Sequence, residues 1–236
     1  MNVRKKIVVL SGAGISAESG IRTFRDTNGL WEDHSVEDVA TPEGWQRNPD
    51  LVLEFYNQRR KQAFSVQPNA GHVALAELER YYDVTVITQN VDNLHEKAGS
   101  TYVIHLHGEL TKVRSSADES LIYELDEASW EVKRGDVCEK GSQLRPHIVW
   151  FGEAVPMMDV AVDETTEADI FIVVGTSLQV YPAAGLLYAV SKGNPIYIVD
   201  PNIPDVAKRQ NLTLIPETAT AGLTRLAQQL IAEATV

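Results

Sequence analysis

The sequence predicts an α/β protein built on a doubly wound, mainly parallel Rossmann-like sheet that carries a small inserted module. Three observations point there. The run Ile7-Val8-Val9-Leu10 is β-branched or apolar without alternation, as in a strand covered on both faces. Helical and strand-like stretches then alternate through short connections, which favours parallel pairing by crossover. The strand-like runs end in small or polar residues, where open α/β sheets bind ligands.

The first strand gives way at Ser11 to small residues. Gly12, Gly14 and Ala17 fit G-x-G-x-x-[G/A], the spacing that brings backbone close to a pyrophosphate at a helix N-terminus. A plain tight turn between strand and helix satisfies the same spacing. An ordinary dinucleotide fold carries an acid about 20 residues on, at the end of a second strand, to hold the ribose hydroxyls. Here that interval, residues 21–31, reads IRTFRDTNGLW, a polar loop able to fold over a bound dinucleotide. A plain dehydrogenase is therefore disfavoured.

Asn48-Pro49-Asp50 then supplies a cap, an N1 proline and a first-turn acid for a helix over LVLEFYNQRRKQAF. Leu51, Val52 and Phe55 can share its apolar face. Tyr56 and Arg59, three apart, are neighbours on one face, where such residues are ordinarily solvated or snorkelling. A helix over 70–81 feeds a strand over 84–88, which ends in Gln89-Asn90-Val91-Asp92 before a short helix closed by Gly99. Asn and Asp there suit helix capping as well as ligand binding. A strand over 102–106 leads to His107-Gly108. A strand over 170–174 leads to Gly175-Thr176-Ser177, and a helix is expected over about 183–192 with Gly193 as its stop. The strand over 196–199 ends at Asp200-Pro201-Asn202, and one over 212–215 precedes an amphipathic helix from about Ala221.

With 236 residues, 44% of them hydrophobic, the chain can bury the core of one domain, or of one domain with an insertion. A net charge of −12 argues against nucleic acid or an anionic membrane as partner and is compatible with lysine-bearing proteins. The single cysteine, Cys138, excludes an internal disulfide and suits a reducing compartment. Arg4-Lys5-Lys6 before the first strand imitates a signal peptide, but the apolar run is too short, and no stretch approaches a membrane span. A soluble, cytoplasmic protein is expected.

Residues 12–26, GAGIS-x-x-SGI-x-TFRD, closely resemble the opening signature of the sirtuins, the NAD-dependent protein-lysine deacylases. The resemblance extends over essentially the whole chain except 111–147. It implies one catalytic domain over 1–236, with 28–68 as a helical insertion lining the acyl and NAD pocket. NAD would be a consumed co-substrate, and acyl-lysine proteins or peptides the partners. From the opening signature, Gly12, Ala13, Gly14, Ser16, Ala17, Ile21, Phe24 and Arg25 would contact NAD. By the TQN-[IV]-D motif, Gln89 would hold the ribose, Asn90 would lie beside its reactive carbon, Val91 would join the NAD contacts, and Asp92 would engage the nicotinamide amide. Gly175, Thr176 and Ser177, with Asp200, Pro201, Asn202 and Ala219, would hold the adenosine half, although many members carry Asn at the position of Asp200. His107 resembles the histidine of the family's HG pair, a general base. A reference pKa near 6.5 suits that task. His105 would share its face only on a regular strand, and five of the six histidines have ordinary options as surface, cap or packing residues.

Tyr56-x-x-Arg59, following ATPEGWQRNP, looks like the signature of the branch that removes succinyl, malonyl or glutaryl groups. A planar guanidinium and a phenol can hold a carboxylate with directed, charge-assisted bonds. The peptide would lie extended between the FGE and GTS loops, against Val149, Phe151, Gly152, Glu153 and Val180. In the implied reaction the amide oxygen attacks the ribose carbon as nicotinamide leaves. His107 deprotonates a ribose hydroxyl, which attacks the imidate, and water releases lysine and O-acyl-ADP-ribose. Two rivals share these residues: a protein mono-ADP-ribosyltransferase, and a non-catalytic binder of NAD, ADP-ribose or acyl-lysine. A pure binder has no use for a base beside the ribose.

The family pattern breaks over 111–147 and resumes in LRPHIVWFGEAVP. Most sirtuins hold zinc there with four cysteines in two close pairs, whereas this chain has Cys138 alone and no histidine at ligand spacing. No metal ligands and no structural zinc are expected. Leu121, Ile122, Tyr123, Leu125, Trp130, Val132 and Val137 give the module apolar residues of its own. At roughly 1.5–3 kcal/mol for each large one fully buried, an upper bound, several rival the apparent ~10–16 kcal/mol of a finger-type zinc site.

Overall fold

The computed structural model describes residues 4–22, 30–31 and 34–235. Strand β1 (Lys6–Ser11) runs into a one-turn helix, α1 (Gly14–Ala17), and a short antiparallel pair follows, β2 (Leu30–Trp31) with β3 (His34–Ser35). Three helices come next: α2 (Val36–Val39), α3 (Pro42–Arg47) and the long α4 (Pro49–Ser65). Asn48 caps α4 as expected, its side chain accepting from the Leu51 N–H at 3.1 Å, with Pro49 in the first turn. The chain continues through α5 (Ala70–Leu78), β4 (Asp83–Thr88), α6 (Leu94–Ala98) and β5 (Val103–His105). An antiparallel unit of β6 (Gly108–Ser115), β7 (Ile122–Glu124) and β8 (Leu144–Ile148) interrupts the βα alternation. Then come α7 (Met158–Thr166), β9 (Ile170–Val174), a 3-10 helix (Ala183–Tyr188), β10 (Ile196–Val199), β11 (Leu212–Ile215) and α8 (Ala219–Ala234).

Six strands form one parallel sheet in the order β11-β10-β9-β1-β4-β5. The chain winds outward from β1 through β4 to β5, returns to β9 on the other side of β1, and winds outward again. That reversal is a topological switch point, where ligands bind such sheets. The unalternating β1 is explained by two covered faces. Ile7 and Val9 pack with Leu75, Leu78, Leu223 and Leu226 of α5 and α8. Val8 and Leu10 pack with Phe171, Val173, Leu186 and Leu187 on the opposite side.

Several boundaries differ from expectation. The helix expected over 70–81 ends at Leu78, because the chain turns to bury Tyr82, whose hydroxyl donates to Leu230 O at 2.6 Å. The strand expected over 102–106 is confined to Val103–His105. The helix expected over 183–192 is a 3-10 helix ending at Tyr188; Gly185 inside it weakens α propensity. Helix α8 starts at Ala219 rather than near Ala221, since Glu18 caps it from a distance by accepting from the Thr220 N–H at 2.9 Å.

The small antiparallel unit does not enclose a core of its own. Val113 and Val132 are buried against Leu53 of α4, with Tyr123 and Leu125 partly buried beside them. Ile122 and Val137, expected to be interior, are 45% and 51% exposed, because three short strands have no second layer to cover them. Polar contacts from α4 complete the attachment. Asn57 donates from Nδ2 to Val132 O (2.9 Å) and accepts from the Val132 N–H (3.0 Å). Arg60 donates to Leu110 O (2.6 Å), Trp130 O (2.8 Å) and Asn57 Oδ1 (2.8 Å). Buried Cys138 donates its thiol to Ser115 Oγ at 3.3 Å. Among the described residues, no three His, Cys, Asp or Glu side chains gather to hold a metal ion. Likewise, no helix among them is long and apolar enough to cross a membrane.

Candidate active site

The C-terminal ends of β1, β4, β9 and β10 meet around one cavity of about 470 Å³. Its floor exists because two glycine turns abut. The Gly14 N–H donates to Gly175 O at 2.8 Å, and a Cβ on Gly14 would lie 2.6 Å from Gly175 Cα. Gly175 also has φ +63°, so neither position accepts a side chain without moving backbone.

The sequence candidates are distributed around this cavity. Gly12, Ala13, Gly14, Ser16, Ala17 and Ile21 line the β1 side. Gly175, Thr176 and Ser177 line the β9 side, with Asp200, Pro201, Asn202 and Ala219 beyond. Asp200 is buried, and its Oδ1 accepts from the Asn202 N–H at 2.8 Å, so the carboxylate shapes its own turn. Phe24 and Arg25 lie outside the described residues.

Past β4, Gln89, Asn90, Val91 and Asp92 form the rear wall. Gln89 Nε2 donates to Thr176 Oγ1 at 3.1 Å, tying two strand ends together. Asn90 Nδ2 donates to Gly12 O and to Ser16 Oγ, both at 3.2 Å, and the Ser16 hydroxyl donates to Asp92 Oδ2 at 3.0 Å. Asp92 Oδ1 accepts from the Leu94 N–H at 3.2 Å, closing a turn ahead of α6, whose N-cap, Asn93, makes no side-chain cap. Burial pushes the Asp92 carboxyl up, against the hydrogen bonds it accepts.

The two strand-end histidines separate clearly. His107 lines the cavity, and its Nδ1 faces Gln89 O at 2.9 Å. A carbonyl only accepts, so the proton is assigned to Nδ1 and the lone pair to Nε2. Burial lowers the His107 pKa, keeping the ring neutral at pH 7. His105 instead donates to Asn90 O (3.2 Å) and Glu96 Oε1 (2.7 Å). Burial opposes its charge, but Glu96, Glu109 and the Asn90 carbonyl together hold His105 above the usual value. Gly108, at φ +81°, lets the chain turn sharply after His107 into β6.

Tyr56 and Arg59 project from α4 onto the same cavity, and Val149, Phe151, Gly152, Glu153 and Val180 line it too. Tyr56 is fully buried, its ring edge-on to Phe55 with centroids 5.0 Å apart, and burial raises its phenol pKa. The Arg59 guanidinium lies 5.5 Å from the Phe55 ring centroid. Glu153 is less available to a peptide than expected: it accepts from Arg145 at 2.8 and 3.2 Å and from the Trp150 N–H at 2.8 Å. Sequence reasoning missed Trp150 and Arg145 as site builders, although both stand inside LRPHIVWFGEAVP. It also missed a buried relay in which the Ser11 hydroxyl donates to Thr88 Oγ1, which accepts from the Asn90 N–H, while His95 Nε2 lies 2.9 Å from Ser11 Oγ. Only the fold brings those groups together.

A glycine cradle at a switch point that shares one cavity with a neutral histidine defines a nucleotide-binding protein with a proton acceptor in place. The Sir2 family model matches residues 12–182, and the chain belongs to that family. It is 56% identical over 230 residues to an NAD-dependent protein deacylase of Bacteroides thetaiotaomicron, covering 96% of this chain and 98% of that one. Among solved structures, a Sir2 homologue mutant in complex with ADP-ribose superposes with a TM-score of 0.89 at 38% identity, covering 99% of this chain and 94% of that one. A Sir2 homologue–NAD complex does so with a TM-score of 0.87 at 40% identity, covering 98% and 91%.

Proposed function

We propose that this chain, an NAD-dependent protein deacylase of the Sir2 family, removes short acidic acyl groups such as succinyl and malonyl from protein lysines in preference to acetyl. The observation that carries the preference is Tyr56 and Arg59 standing one helical turn apart on the wall of the His107 cavity. The buried phenol stays protonated and the guanidinium stays charged, so both can donate to a carboxylate at the far end of an acyl chain. Hydrogen bonds to a charged group contribute about 1.5–3 kcal/mol net each, and acetyl-lysine offers no such partner. Two bonds lost correspond to roughly a hundredfold or more in discrimination.

In this reading the glycine cradle and the Gly175–Ser177 turn hold the NAD phosphates and adenosine, and Gln89 orients the ribose. Asn90 and Asp92 hold the nicotinamide end, and His107 Nε2 takes a proton from a ribose hydroxyl. The acyl-lysine peptide enters past Phe151 and Val180. The module over 111–147 holds its place without zinc, through Val113 and Val132 packing on Leu53 and through the Asn57 and Arg60 contacts.

The test is steady-state kinetics with acetyl-, malonyl- and succinyl-lysine peptides. Succinyl or malonyl peptide should give the highest kcat/KM, and Arg59→Met should raise KM for those peptides far more than for acetyl. A wild-type enzyme indifferent to the acyl terminus, or an Arg59→Met variant weakened equally toward all three peptides, refutes the preference.

A further inference from the structure

Trp150 is 2% exposed, and its indole Nε1–H donates to the Tyr56 hydroxyl oxygen at 3.1 Å. An indole N–H can only donate, whereas a phenol has one hydrogen and two lone pairs. The bond therefore occupies a lone pair of Tyr56 and turns the phenol hydrogen away from Trp150. Trp150 is itself held at two points. The Arg145 guanidinium carbon lies 3.4 Å from the centroid of its ring, a stacked cation that draws electron density from the indole. Glu153, which binds Arg145 through both oxygens, also accepts from the Trp150 backbone N–H.

We propose that Trp150 is a positioning residue for acyl selectivity. By occupying one of the two lone pairs of Tyr56 and turning the phenol hydrogen away from the indole, it biases the phenol toward donating, which favours acyl chains that end in a hydrogen-bond acceptor over chains that end in a methyl group. Arg145 and Glu153 act one step further back, fixing the indole plane. The inference rests on the acidic-acyl reading above and names the residue that gives Tyr56 its polarity.

The test compares succinyl- and acetyl-lysine peptides with wild type, Trp150→Phe, Tyr56→Phe and the double variant. A fifth protein carries 3-benzothienylalanine at position 150, which keeps the indole shape without the N–H and covers the case in which Trp150→Phe folds poorly. Loss of the donor should raise KM for the succinyl peptide about three- to tenfold, with kcat within about twofold, so that the succinyl-to-acetyl ratio of kcat/KM falls. In the Tyr56→Phe background the same change should add nothing, because no hydroxyl remains to orient. Equal losses toward both peptides, or single effects that multiply in the double variant, overturn the proposal. A wild type that treats both peptides alike defeats the acidic-acyl reading and the inference with it. A wild type whose succinyl preference survives the benzothienyl substitution defeats the inference alone.

Discussion

His107 and His105 stand two residues apart and shift in opposite directions, and His107 is the one that lines the cavity, which is why the proposed reading makes it the base. His107 is neutral with its lone pair on Nε2, so His107→Ala should keep NAD binding and melting temperature while losing deacylation by orders of magnitude. Calorimetric NAD titration alongside product assays checks this, and near-normal turnover would refute the assignment. Because burial lowers its pKa below 6.5, His107 remains a competent base under mildly acidic conditions. The profile of kcat/KM should stay flat down to pH 6.5 and fall only below it. A second pair behind the site bears on stability rather than turnover. His72 and His95 stack edge-on 5.0 Å apart, and burial lowers both, His72 to about 4. The unfolded chain binds protons on these rings near pH 6.5, the folded chain only near pH 4 for His72. Their contribution is thus complete above pH 6.5 and lost as pH falls towards 4. His72→Gln keeps an acceptor for the Asn69 N–H at the helix cap but cannot titrate. Thermal melts across that window should show a shallower fall for the variant, and parallel curves would contradict the linkage.

At the scale of the element, α4 works with two neighbouring faces. Tyr56 and Arg59 meet the cavity, while Asn57 and Arg60, each one residue on, meet the antiparallel unit. Arg60→Met would leave the Leu110 and Trp130 carbonyls without this donor, costing about 2–6 kcal/mol at 1–3 kcal/mol per orphaned group. That corresponds to a drop in Tm of roughly 4–24 °C in a chain of this size. An unchanged Tm would mean that water replaces the guanidinium. The start of α4 was legible because Asn48 and Pro49 act locally. Asn57 and Arg60 were not legible, since QRRKQ reads as a solvated basic stretch and periodicity names a face without naming what lies against it. The same gap hid Trp150, whose role depends on a tyrosine 94 positions away.

Across the whole molecule, the parallel sheet was readable from two-sided apolar strands and their small-residue ends, because burial on both faces leaves a local mark. The early start of α8 was not, since its cap comes from Glu18, 202 positions away. The attachment of 111–147 to α4 carries a further prediction. The purified chain should contain no stoichiometric zinc, a strong chelator should leave its Tm unchanged, and Cys138→Ser should keep activity. Elemental analysis that finds one zinc per chain would sink the first, a Tm lowered by chelator the second, and an inactive Cys138→Ser the third.

The most direct measurement is mass spectrometry of the products formed from NAD and a succinyl-lysine peptide, with wild type and His107→Ala side by side. Wild type should release nicotinamide, free lysine peptide and O-succinyl-ADP-ribose in equal amounts, and His107→Ala should form almost none of the free peptide. ADP-ribose attached to the peptide or to the enzyme, or deacylation that proceeds without NAD, would contradict a Sir2-type deacylase working through His107.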